Sequence, residues 1–132
     1  MNDCENEVYT RVATALRAEF PGIDLASEYI RSPSVFPHVS IVMADNSIIA
    51  ERQDTGSGET DLVMFEVNIY SNKANTKKSE CKAIAKVIDS LLYAMNFRRL
   101  SLNPVPNMEN ATIYRLVARY RVATDGKFFY RR

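Results

Sequence analysis

The chain has 132 residues, 46% hydrophobic and 25% charged, with a formal net charge of +1. A chain of that size is one domain, 1–132, able to bury an apolar core with no metal or disulfide, and its balance excludes general disorder. No apolar run reaches the ~18 residues of a membrane span, the opening MNDCENE is too acidic for a signal peptide, and the only cysteines, Cys4 and Cys81, point to reduced thiols in a cytosolic setting.

In chain order, Asp3 to Phe20 reads as an amphipathic helix, because Val8, Val12 and Leu16 recur every four residues behind an acidic first turn. Pro21-Gly22 ends it. Ile23 to Ile30 reads as extended, and Ser32-Pro33 with Phe36-Pro37 stiffens the linker beyond. His38 to Ala44 alternates as a strand, Asp45-Asn46 is a turn pair, and Ser47 to Arg52 returns as the second strand of a hairpin. The DTGSGET tract at 54–60 is a flexible loop. Leu62 to Tyr70 is a strand, with Val63, Phe65, Val67 and Ile69 on one face. Thr76 to Met95 is the strongest helix, carrying Cys81, Ile84, Ile88, Leu91 and Leu92 on one stripe. Phe97 to Leu102 is a short strand, NPVPN at 103–107 a proline-stiffened loop, and Ala111 to Ala123 a long strand. Asp125-Gly126 is a turn, and 126–132 is a flexible tail ending in FFYRR.

The order α-β-β-β-β-α-β-β lacks βαβ alternation. It predicts an α+β sandwich, a largely antiparallel β-sheet with two α-helices packed on one face. The other sheet face mixes large apolar groups with charge: Leu62, Met64, Glu66, Asn68 and Tyr70 on one strand, Ile113, Arg115, Val117, Arg119 and Arg121 on another. That composition reads as a contact surface. The charge is also unevenly placed. Residues 1–72 hold 12 acids against 4 bases, a net −8, and residues 73–132 hold 13 bases against 4 acids, a net +9. Either the halves interleave and mix, or the subunit is bipolar and its acidic face meets the basic face of another copy. A head-to-tail contact of that kind closes into a ring when the rotation allows.

Chemistry is nearly absent from the sequence. His38 stands alone, no Gly-x-Ser-x-Gly is present, and neither cysteine lies in a zinc-type spacing. Gly56-Ser57-Gly58 lacks the lysine and helix start of a phosphate loop. Asp61 with Glu66-Val67-Asn68 distantly matches the acid and Glu-x-Lys of metal-dependent nucleases, with Asn68 where the lysine belongs; the plainer reading pairs Glu66 with Arg119 across strands. Arg115, Arg119, Arg121, Phe128, Phe129, Tyr130, Arg131 and Arg132 offer the arginines and aromatics of a single-strand-binding platform.

Four stretches together carry a resemblance: FPHVSIVMADNS at 36–47, MFEVNIYSNK at 64–73, KKSECKAIAKVIDSLL at 77–92 and NPVPNMENATIYRLVARYRV at 103–122. They resemble the small tail terminator (tail completion, minor capsid) proteins of tailed phages, prophages and phage-tail-like particles of Gram-positive bacteria. The resemblance implies an α+β sandwich that assembles with itself into a hexameric ring on the end of the tail tube. There it stops tube growth and presents a surface to the head-tail connector. It further implies a virion component assembled in the host cytoplasm. The partners it implies are the tube protein, the sheath in a tail that has one, and the connector, with no cofactor, no catalytic residue, no membrane and no specific nucleic acid. The face reading supplies the candidate interface: Met64, Glu66, Tyr70, Ile113, Arg115, Val117, Arg119 and Arg121, with Phe128, Phe129 and Tyr130 from the tail. A nucleic-acid-binding module, or a metal-dependent nuclease, remains the alternative.

Overall fold

The computed structural model describes residues 3–48, 60–107, 110–126 and 128–130. Val8, Val12 and Leu16 form the buried stripe of helix α1 (Glu5–Glu19). The chain then reverses at Gly22, whose φ of 87° lies where only glycine is unstrained, and enters strand β1 (Asp24–Ala26). β2 (His38–Ile48) and β3 (Asp61–Ser71) form a long antiparallel hairpin. Helix α2 (Lys77–Ala94) follows, then β4 (Arg98–Pro104), β5 (Tyr114–Thr124) and β6 (Phe129–Tyr130). The strands lie in the order β1-β2-β3-β5-β4, with only β1 parallel to its neighbour. β3 pairs with β5 through Thr124, so β6, on Ala123 and Thr124, lies at the other edge of β5, in line with β4. This is the expected α+β fold, but with three strands before α2 and three after it.

Two expectations fail locally for one reason: pairing partners outrank local turn propensity. The Asp45-Asn46 pair makes no turn. β2 runs straight through it, with a bulge between Met43 and Asp45 that leaves Ala44 as the extra residue. Without the bulge Asp45 would share the core face of Val39, Ile41 and Met43. With it Asp45 stands opposite Met64 on the outer face. The FFYRR end is likewise no free tail where it is described. Phe129 packs 5.9 Å from Phe97, the Asn96 side-chain amide donates to its carbonyl at 2.9 Å, and the Tyr130 hydroxyl donates to Asp125. The extended stretch is also shorter than expected, three residues rather than Ile23 to Ile30. Of the 54–60 loop, residues 54–59 lie outside the described residues, and Thr60 is buried.

Both helices lie on one sheet face. Val39 and Ile41 of β2, Val63, Phe65, Val67 and Ile69 of β3, and Leu116, Ala118, Tyr120 and Val122 of β5 meet the stripes of α1 and α2 in one core cluster. α2 ends on Asn96, held at φ 69°. The Asn96 amide donates to Tyr93 and the Phe97 amide to Leu92, which satisfies the last carbonyls in a Schellman turn and brings Phe97 edge-on to Phe65 at 5.8 Å. The Tyr120 hydroxyl reaches up from the sheet to Asp89 of α2 at 2.9 Å, and Arg99 of β4 meets the same carboxylate at 3.4 Å. At the other end of α2, the Ser71 hydroxyl donates to Glu80 at 2.6 Å.

Phe65 is fully buried against Phe97, so Phe65→Ala is expected to lose ~3–5 kcal/mol in urea unfolding. Burial pushes the Cys4 thiol from its ordinary 9.0 up to about 11 and the Cys81 thiol to about 12. Both thiols hold their protons more tightly folded than unfolded. Their influence on stability is therefore constant below pH 9, and stability falls as pH rises from there toward the folded values. At pH 8 iodoacetamide is expected to label the native protein at least ten-fold more slowly than the urea-unfolded chain, a difference that mass spectrometry reads directly.

Candidate functional site

The face away from the helices is organised in rows, because directly paired residues of neighbouring strands share a face. Asp24, His38, Tyr70 and Arg115 form one row, Ser40, Asn68, Val117 and Asn103 the next, then Val42, Glu66, Arg119 and Ser101. Asp45, Met64, Arg121 and Arg98 form the fourth, and Ser47, Leu62, Ala123 and Tyr130 the last. Strand parity alone therefore brings Met64, Glu66, Arg115, Val117, Arg119 and Arg121 together, as the sequence predicts.

The face divides into two unlike halves. In the first rows His38, Ser40, Asn68 and Tyr70 are each no more than 1% exposed. The segment between β1 and β2 lies across them: the Arg115 guanidinium sits 5.6 Å from the Tyr29 ring and 5.7 Å from that of Tyr70. Tyr70, placed by sequence at the surface, is thus an interior residue. Burial pushes its phenol up to about 12 against the opposing pull of Arg115, and its hydroxyl makes no hydrogen bond of acceptable geometry although Tyr29 stands beside it. His38 donates through Nδ1–H to the Asp24 carboxylate at 2.7 Å, with its ring 5.8 Å from Tyr70. Asn68 is the hub: its side-chain oxygen accepts from Arg115 Nε at 3.0 Å and Nη2 at 2.7 Å, and its nitrogen donates to Glu66 at 3.1 Å.

The other half is open. Val42, Leu62, Met64, Val117 and Arg121 are half-buried, and the Arg119 side chain is 54% exposed. Arg119 donates from Nε to a Glu66 oxygen at 3.2 Å, and its Nη2 lies 3.2 Å from the same oxygen as an ion pair, which is the expected cross-strand contact. Ile113 precedes β5 and, with Pro104, Val105 and Pro106, walls an apolar groove of about 520 Å³. Phe128 is 59% exposed, Phe129 turns to the core, and Tyr130 extends the last row of the open half. The covering role of Tyr29 had no signal in the sequence, since it sits in an irregular segment where no period assigns a face.

The nuclease constellation does not assemble. Asp61 shares the inward parity of Val63 and Phe65, while Glu66 and Asn68 face outward. Among the described residues no group of three or more His, Cys, Asp or Glu could hold a metal ion, and no described helix is long and apolar enough to cross a membrane.

What remains is a layered fold with one sheet face partly uncovered. No protein-family model matches the chain, and a search of curated proteins finds no match. Solved structures do match. One is a chain of the virion of a native gene transfer agent particle, 14% identical, with a TM-score of 0.62 over 92% of each chain. At that identity the likeness is one of fold.

Asn68 is fully buried between two charged groups. Asn68→Ala leaves the Arg115 guanidinium without its side-chain acceptor and takes one donor from Glu66, and is expected to cost ~1–3 kcal/mol in urea unfolding, with Asn68→Asp retaining more of the stability than Asn68→Ala.

Proposed function

We propose that this protein is a structural component of a phage-like particle, a tail terminator that assembles as a ring on the end of the tail tube, stops its growth and offers a surface to the head connector. The observation that carries the reading is the fold shared with a chain of a gene transfer agent virion over nearly the whole length of both. Two features support it. The four stretches described above resemble tail terminators. The open half of the outer sheet face sets Met64, Leu62 and Val117 beside Arg119 and Arg121, the apolar centre and charged rim of a docking surface.

A stable contact takes about 800 Å² from each partner, near a tenth of the 7586 Å² accessible surface of the chain. The open half of the face, extended by Tyr130 of β6, is the surface assigned to the tube. The basic second half also permits a nucleic-acid reading, but Arg119 is committed to Glu66 and Arg115 to Asn68, which withdraws two of its arginines from phosphate.

The experiment is tail assembly. Removal of the gene is expected to give overlong tails, and purified protein added to growing tubes is expected to stop them. Val117→Asp and Arg119→Glu should both stay folded, each losing no more than about 0.5–3 kcal/mol in urea unfolding, yet fail to cap. Normal tail lengths in the absence of the gene would sink the reading, and normal capping by both variants would remove the outer face from it.

A further inference from the structure

Among the described residues the sheet has two open edges at opposite ends. β4 has β5 on one side and, among the described residues, no strand on the other. Its Leu100 and Leu102 are 42% and 37% exposed. At the far end β1 covers only His38 to Ser40 of β2. From Ile41 to Ile48, β2 is paired with β3 alone among the described residues. β4 is seven residues long, and the open stretch of β2 is a match for it. An uncovered row of backbone donors and acceptors is a template for another strand.

Direction fits as well as length. From β2 to β4 every neighbour is antiparallel. Taken in spatial order, β2 runs up, β3 down, β5 up and β4 down. A second copy set beyond β4 in the same orientation presents its own β2 running up, so the junction is antiparallel like the rest of the sheet. The same step repeats at the next copy, which is a head-to-tail contact.

Charge selects the pairing. α2 and β4 together carry six cations against two acids, Glu80 and Asp89. α1, β1 and β2 carry five acids against two arginines. Lys82 and Lys86 of α2 line a groove of about 410 Å³ beside Arg99 and Leu102 of β4. Since α1 packs over β2, a copy joined at β4 brings its acidic helix toward that groove. The arginines of β4, its bulge and Pro104 resist indiscriminate strand addition, and leave an acidic edge as the partner they admit.

We infer that β4 of one copy pairs antiparallel with the Ile41–Ile48 stretch of β2 in the next, so that the sheet continues from copy to copy around the ring. This rests on the self-assembly reading above and adds to it which edges meet. The outer face then stays free for the tube.

Cysteine cross-linking tests it on assembled protein. Leu100 or Leu102→Cys is combined with Ala44 or Ser47→Cys, all exposed positions, and the native thiols are buried. Each copy then carries one cysteine at each edge. Mild oxidation of the ring is expected to give, on a non-reducing gel, covalent multimers of three or more copies from at least one combination, while single-cysteine variants stop at dimers. Rings that form but yield no ladder from any of the four combinations overturn the edge pairing and leave the ring reading intact. A parent protein that neither self-associates nor binds tubes overturns both. Should the cysteines themselves block assembly, Lys82→Glu/Lys86→Glu decides: ten-fold weaker assembly of a folded protein supports the pairing, and unchanged assembly overturns it.

Discussion

A β-strand sends successive side chains to opposite faces, and the eleven paired positions between β3 and β5 impose that alternation on the centre of this molecule. Val63, Phe65, Val67 and Ile69 go to the helices with Leu116, Ala118, Tyr120 and Val122. Everything between them, from Leu62 to Tyr70 and from Arg115 to Arg121, is thereby committed to the second face. A one-residue slip would exchange the two sets. The helices anchor the register from above: Asp89 takes the Tyr120 hydroxyl, and Glu80 takes the Ser71 hydroxyl. The second face is thus a consequence of building the first, and its composition is where the molecule is free to carry a function.

Only part of that second face is left to solvent. The Arg115 guanidinium, flanked by Tyr29 and Tyr70 and held by Asn68, gives the covered half its polar centre. A charge at that place is tolerable because Nε and Nη2 both donate to Asn68 and the aromatic faces are electron-rich. Covering this half confines the exposed apolar groups to a smaller area around Met64, Leu62 and Val117. A smaller patch with charged rims discourages indiscriminate association.

Period and parity made the helices and the two long central strands legible in the sequence, and with them the inward and outward residues of β3 and β5. The cross-strand pair of Glu66 with Arg119 followed from the same parity. Non-periodic features were not legible. The bulge at Ala44 depends on β3 offering partners on both sides of it, which outweighs the turn propensity of Asp45-Asn46. The burial of Tyr70 depends on Tyr29, forty-one positions away in a segment with no repeating pattern. β6 forms because Phe129 finds Phe97 and Asn96 at the end of α2, a long-range contact that FFYRR alone does not announce. In each case the deciding partner is distant in sequence.

The energetics of the proposed assembly fit a division of labour between edges and face. A seven-residue edge contributes a handful of backbone hydrogen bonds, each worth ~0.5–1.5 kcal/mol net of the water it displaces. Bringing two copies together costs on the order of 4–15 kcal/mol in lost translational and rotational freedom. Edge pairing alone therefore comes near to breaking even, and the opposite charges of the two ends fix orientation more than they add affinity. A tube end that engages the open outer face of each copy holds the copies side by side and removes most of that entropic cost before the edges meet. On this account the edges set the geometry of the ring and the face decides where it forms, so that a completed tube, rather than a crowded solution of subunits, is the template that closes it.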